Sequence, residues 1–284
     1  RGFEAEYALA GAVKGIDLIV AGHTDHGLRT PVRHPETQTL IVETFGQGMH
    51  LGVLNLLYQA GQPLTLVSSD LVPVNADRLP DDAAVAGLIQ AARARHPELS
   101  RVAGVLQGHA PRKYYRESVV GNLVADALRA SAKTDVGMIT PGALRADLAS
   151  GPVTVEQIRN VFPFLDRVTT IKLTGVLLKA IVEKGLWREY GLPQYSGMTL
   201  TADLAKPEGQ RLVSLQINGL PVIDAGEYTL ATGSFTATGG EGYHLLTDHI
   251  VAVSEALVSD VLVGYFEAKG QVLAPSLGRQ TLRR

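Results

Sequence analysis

Apolar positions along the first eighty residues change period several times. Residues 1–13 spread Phe3, Tyr7, Ala8, Ala10 and Gly11 along the faces of a predicted helix. Residues 15–21 form a short apolar run, the pattern of a strand buried on both faces. Residues 39–44 and 64–74 read as further strands, and residues 46–52 as a turn-rich link into residues 53–58. Pro80-Asp81-Asp82 then opens a helical pattern over residues 83–95, with acidic residues where they complement the helix dipole. His96-Pro97 stops it, and the helix reads as a connector between two domains.

Strands and helices alternate beyond it, which predicts an α/β fold. Residues 102–106 form a strand, and Val120, Leu123, Val124, Ala127 and Leu128 share one side of a helix. Residues 135–139 form a second strand. Thr154-Val-Glu-Gln157 resembles a capping box, opening a short helix that ends before Phe162-Pro163-Phe164. A strand over 168–173 leads into an amphipathic helix over 175–184. Residues 185–210 read as turn-rich and hold the only tryptophan, Trp187, assigned to packing. Residues 211–217 are expected to pair with 228–233 across the Asn218-Gly219 turn. A last helix over 259–269 is closed by Gly270.

Length and composition narrow the classes. At 284 residues two units are the natural expectation, and 45% hydrophobic content supports substantial cores. A net charge of −2 gives no hint of a polyanionic partner, so a nucleic-acid ligand is not expected. The lack of cysteine excludes disulfides and thiolate metal ligands. No apolar run approaches the roughly eighteen residues that a spanning helix needs. No secretory signal opens the chain; it begins as though inside a domain and is expected to extend upstream.

Four stretches carry candidate chemistry. The first is Tyr228 to Tyr243, where a strand runs into Gly239, Gly240 and Gly242 with Phe235 just before the loop and Glu241 inside it. An aromatic face and a carboxylate so close suit a ring bearing hydroxyl groups, although Phe235 as core is the bland alternative. The second, Gly22-His23-Thr24-Asp25-His26-Gly27, offers imidazole and carboxylate ligands for a transition metal, or is simply a polar loop. In the third, residues 140–147, Gly142 and Ala143 could present backbone N–H groups to an anion beside Arg145. Arg116, in the fourth, could point the same way, the alternative being two solvated arginines. His34 and His50 are assigned structural or surface roles.

In this order the stretches resemble the 5'-nucleotidase family, which includes bacterial UDP-sugar hydrolases and ecto-5'-nucleotidases. The resemblance is carried by Gly22-His23-Thr24-Asp25, Arg116-Glu117 with Gly121-Asn122-Leu123, Thr140 to Arg145, Pro163-Phe164, and Phe235 through Gly239-Gly240-Glu241-Gly242. It implies a 5'-nucleotidase-type C-terminal α/β domain over residues 98–284. Before it would come a connector helix over 81–97 and, over 1–80, the last β-rich part of a calcineurin-like metallophosphoesterase sandwich. It further implies two divalent metal ions (Zn, Mn, Mg or Ca), with His23 ligating one and Asp25 the other, His26 being the alternative. Phe164 and Phe235 would clamp the base, Arg116 and Arg145 would contact the phosphate, and Glu241, where the family more often has Asp, the ribose hydroxyls. Asn122, Thr140, Gly142 and Gly240 complete the implied substrate site.

The function expected is substrate recognition in a metal-dependent hydrolase of nucleoside 5'-monophosphates. The family's remaining metal ligands and catalytic His-Asp pair would lie upstream, so no catalytic residue is assigned here and the chain alone is expected to be inactive. Alternatives are UDP-sugar, cyclic-nucleotide or thiosulfonate hydrolysis on the same scaffold, or a non-catalytic nucleotide-binding or adhesion module. The family implies a periplasmic or extracellular location.

Overall fold

The computed structural model describes residues 3–23, 27–75 and 77–283. Its contacts divide the chain into two compact units, Arg1–Ala92 and Arg93–Arg284. In the first, α1 (Phe3–Ala12) packs against the sheet formed by β1 (Leu18–Ala21), β2 (Val32–Arg33) and β3 (Leu40–Glu43). The strand order is β1-β3-β2, with β1 parallel to β3. Ala10 of the helix and Leu40 and Ile41 of the central strand are buried. The expectation of a first strand buried on both faces is corrected, because β1 lies at a sheet edge with Val20 74% exposed. His34 is structural: its Nδ1 accepts from the amides of Glu36 and Thr37, and its ring lies 4.8 Å from Tyr7. β4 (His50–Leu57) and β5 (Thr65–Pro73) form a bulged antiparallel hairpin, and β4 begins inside the stretch expected as a link. The division between the units falls within α2 (Ala83–Ala94).

The second unit is built on five strands in the order β10-β7-β14-β9-β15. These are β7 (Val136–Ile139), β9 (Arg167–Thr174), β10 (Gln194–Ser196), β14 (Glu227–Gly233) and β15 (Ile250–Leu257). β7 and β14 run parallel, and β9 is antiparallel to β14. α3 (Val119–Ala132), α4 (Val155–Val161) and α7 (Val258–Lys269) share one core with Ile139, Val168 and Ala231. The other core joins Met138, Ile171 and Leu230 to α5 (Gly175–Gly185) and a four-stranded sheet. That sheet has the order β13-β12-β11-β17 and comprises β11 (Met198–Asp203), β12 (Leu212–Ile217), β13 (Leu220–Pro221) and β17 (Gln280–Arg283). A three-stranded sheet of β6 (Val102–Gln107), β8 (Gly151–Thr154) and β16 (Gln271–Leu273) completes the unit.

Strand alternation explains the two cores, since neighbouring residues of β7 and β14 face opposite layers. α3 approaches β7 closely at Gly137, where a Cβ would stand 2.1 Å from the Ala125 carbonyl oxygen. The expected capping box forms: Thr154 Oγ1 accepts from the Gln157 amide at 3.3 Å, and Gln157 Oε1 accepts from the Thr154 amide at 2.8 Å. The expected pairing of residues 211–217 with 228–233 does not. Asn218 and Gly219 do turn the chain with positive φ, but β12 pairs with β13 and β11, leaving β14 to insert between β7 and β9. The stretch expected as turn-rich over residues 185–210 contains both β10 and β11. Among the described residues no helix is long and apolar enough to cross a membrane.

Candidate functional site

Parallel pairing of β7 with β14 brings the carboxyl ends of both strands to one edge of the central sheet. Antiparallel β9 begins at that same edge, Val168 lying opposite Gly233. Chain leaving or entering there therefore converges: Thr140 follows β7, Phe235 follows β14, and Phe164 precedes β9. Loops at the carboxyl ends of strands are the usual place for ligands in α/β sheets.

Phe235 is 56% exposed and sits in α6 (Ser234–Ala237), a short helix between β14 and the glycine loop. Asp166 fastens that turn to the start of β9, accepting from the Phe235 amide and the Ser234 hydroxyl, while Ser234 Oγ accepts from the Arg167 amide at 3.1 Å. Burial raises the Asp166 carboxyl above its ordinary value, and those two donors oppose the rise. Phe164 is 38% exposed and meets buried Phe162 edge-on at 5.7 Å. The Arg145 guanidinium lies 5.3 Å from the Phe164 ring centroid, a cation–π arrangement. The Arg145 amide donates to the Val161 carbonyl at 2.8 Å, which holds these two segments together. Phe164 and Phe235 make no ring contact with each other.

Glu241 sits between these groups. Its backbone is left-handed (φ 53°), an uncommon state for a residue with a side chain. Its Oε1 lies where a Cβ on Gly142 would stand, 2.5 Å from that position, so the absence of a side chain at 142 admits the carboxylate. Gly240 does the same for the Phe235 ring, whose edge would be 2.5 Å from an added Cβ. Burial raises the Glu241 carboxyl, with the nearby Thr140 hydroxyl and the Arg145 charge drawing it partly back. That hydroxyl does not complete a hydrogen bond of ordinary geometry: Thr140 Oγ1 and Glu241 Oε2 are both buried and unpartnered. Buried polar atoms are normally satisfied, so these two neighbouring orphans are candidates for a ligand's hydrogen bonds.

The remaining expected residues fall differently. Arg116 is exposed and its carbonyl accepts from Gln194 Nε2 at 3.1 Å, which places it beside the strand next to β7. Asn122 is fully buried in α3, donating through Nδ2 to Glu117 Oε1 at 2.8 Å and to the Ser276 carbonyl at 3.3 Å. Helix burial turns its amide inward, where Nδ2 ties α3 to the C-terminal segment through Glu117 and Oδ1 is left buried without a partner. Glu117 also accepts from the Gly278 and Arg279 amides. His23 is exposed with φ 87°, while Asp25 and its alternative His26 lie outside the described residues. Among the described residues no three His, Asp or Glu side chains group to hold a metal ion.

Tyr114 was not singled out by the sequence. Burial, and then the Glu241 charge, raise its hydroxyl above the ordinary tyrosine value. Its carbonyl accepts from the Leu192 amide at 2.8 Å, and Gly191 (φ 81°) lets the chain pass between its ring and Pro141. Lys184 spans the ring of Trp187 at 4.4 Å and pairs with Glu189 at 2.9 Å. Trp187 is therefore half-exposed beside a cation, rather than core packing alone.

Exposed rings, a cation and a recessed carboxylate thus gather at the strand ends of an α/β sheet. The family described as "5'-nucleotidase, C-terminal domain" matches residues 95–248, and the chain belongs to it. It is 28% identical to the trifunctional nucleotide phosphoesterase protein YfkN of Bacillus subtilis, over 87% of this chain and 18% of that protein. It is 26% identical to the snake venom 5'-nucleotidase of Macrovipera lebetinus, over 86% of this chain and 71% of the other. The structure of a 5'-nucleotidase precursor from Thermus thermophilus matches with a TM-score of 0.86 at 23% identity, covering 99% of this chain and 62% of that one. The chain thus spans less than a fifth of the Bacillus protein and under two thirds of the Thermus chain.

Proposed function

We propose that this chain is the substrate-recognition portion of a metal-dependent 5'-nucleotidase that acts on nucleoside 5'-monophosphates. Phe164 and Phe235 take the two faces of the base, a mode that tolerates different bases because each has a π-face. Glu241 and Thr140 accept and donate to the ribose hydroxyls. Arg145 and Arg116 meet the phosphate, with Gly142 and Gly240 keeping the floor low enough for the sugar to approach. The observation that carries this reading is the pair of buried, unpartnered oxygens of Glu241 and Thr140 beside two exposed phenyl rings.

Divalent ions would supply an activated water and stabilise charge on phosphorus during ester hydrolysis. Toward them the described residues offer His23 alone, which does not make up a metal site, so the chemistry of hydrolysis is assigned to groups beyond this set. What these residues do is bind, orient and hold the nucleotide. Export to the periplasm or cell surface belongs to the same proposal. The test is calorimetric titration of adenosine into the protein and into Phe235→Ala. The truncation is expected to weaken binding by about 1–3 kcal/mol with unchanged circular dichroism. Equal affinity in both proteins would remove Phe235 from the site and with it the base clamp.

A further inference from the structure

A groove of about 470 Å³ opens at the other end of the central sheet, where β7 begins, between the last turns of α3 and α7. That volume lies within the usual range for small-molecule sites. Its walls include Arg129, Lys133, Lys269 and the half-buried ring of Tyr265. Lys269 Nζ stands 4.5 Å from the Tyr265 ring centroid, and Lys133 caps α3 in a left-handed conformation. Neither lysine has a carboxylate partner among the described residues. Arg129 is held in place: Nε donates to the Asp135 carbonyl at 3.0 Å and Nη2 to Asn218 Oδ1 at 3.4 Å, leaving further N–H groups free.

The carboxylate lining the groove, Asp126, is already neutralised. Arg279 binds it through both Nη atoms at 2.8 Å, and Ser196 Oγ donates to it at 2.5 Å. Asp135 is likewise engaged, accepting from the amide and hydroxyl of Thr229. Three uncompensated cations therefore face the groove. The carboxyl ends of two helices oppose them with roughly half a negative charge each, which leaves a surplus of about two positive charges. Complementing the helix dipoles would need only one of the three.

We propose that this groove is a second anion site, taking a compact ligand with two linked phosphate groups, separate from the nucleotide-recognition edge. Two linked phosphates suit cations divided between two helix ends, and the pinned Arg129 fork suits one of them bidentately. The experiment is calorimetric titration of inorganic pyrophosphate at low ionic strength into the wild type, the Lys133→Glu/Lys269→Glu double variant and Arg145→Ala. Saturable binding is expected in the wild type and Arg145→Ala, weakened at least tenfold in the double variant with its thermal midpoint retained. No saturable binding in the wild type would overturn the site. So would binding that the double variant keeps and Arg145→Ala loses, since the anion would then sit at the nucleotide edge. Orthophosphate binding as tightly as pyrophosphate would overturn the two-phosphate assignment.

Discussion

Replacing Glu241 with glutamine tests the recognition site at its most unusual feature. The carboxylate is recessed against Gly142, its Oε2 has no partner, and its proton affinity is raised by burial. In the ligand-free protein the ionised group therefore bears a desolvation cost that Thr140 and Arg145 offset only in part. A ribose diol would repay it, and hydrogen bonds to a charged acceptor are worth about 1.5–3 kcal/mol each. Glu241→Gln should accordingly weaken adenosine binding about 10- to 150-fold. The same loss should follow from removing the hydroxyls of the ligand, so the assay is a cycle of two proteins against adenosine and 2',3'-dideoxyadenosine, read by calorimetry. If carboxylate and diol meet, the two losses overlap and the doubly altered pair loses little more than either single change. Strictly additive losses would refute the contact. So would a dideoxynucleoside that binds the wild type as tightly as adenosine.

The raised proton affinity also fixes a sign. A carboxyl whose folded pKa lies above its unfolded value binds a proton more tightly when folded. Its contribution to stability therefore declines as pH rises through the interval between the two values. Relative to Glu241→Gln, the free wild-type protein should thus lose stability as pH climbs from the unfolded carboxyl value to the raised folded one. Ligand affinity should move the opposite way, because the ionised form is the better acceptor. Thermal melts and titrations across the acid range would show both trends, and a stability difference independent of pH would contradict the burial argument.

Other predictions concern the scaffold. Gly137→Ala places a Cβ against the Ala125 carbonyl and should force α3 away from β7, costing about 1–3 kcal/mol or more in urea unfolding; a midpoint equal to the wild type would deny the close approach. Thr154→Ala removes one arm of the capping box on α4 and should cost about 1 kcal/mol by the same assay, with adenosine affinity unaltered.

Much of the second unit was legible because local patterns and tertiary contacts agree there. The helix over residues 119–132, the capping box at Thr154 and the glycine stop after Lys269 all form as their residues dictate. Pairing was harder to read. Asn218-Gly219 specifies a tight turn, but a turn names no partner beyond its own hairpin, and the two-residue β13 satisfied it. β11 carried a period-two signal, Met198, Leu200 and Ala202 being buried between more exposed neighbours, yet it lay hidden among turn residues. Asn122 shows a different limit. A helix buries one side by its tertiary neighbours, and only the fold reveals that this amide faces Glu117 rather than solvent. Tyr114 was invisible for the same reason, since its relation to Glu241 passes through Gly191 and Pro141, far away in the chain.

The convergence at the strand ends follows from one topological choice. Inserting β14 between β7 and β9 sets a parallel pair beside an antiparallel one, so three connections that are distant in sequence meet at one edge. Two of them carry a glycine at a close approach, Gly142 under the Glu241 carboxylate and Gly240 under the Phe235 ring. Glu241 itself holds a left-handed backbone that glycine would adopt at no cost, and local strain of this kind persists where the surrounding structure over-determines it. Here the carboxylate stands at a strained position, with Oε2 buried and unpartnered and its burial only partly offset by Thr140 and Arg145. On the proposed reading, this carboxylate accepts from the hydroxyls of a ligand that enters beside the two rings the fold leaves exposed.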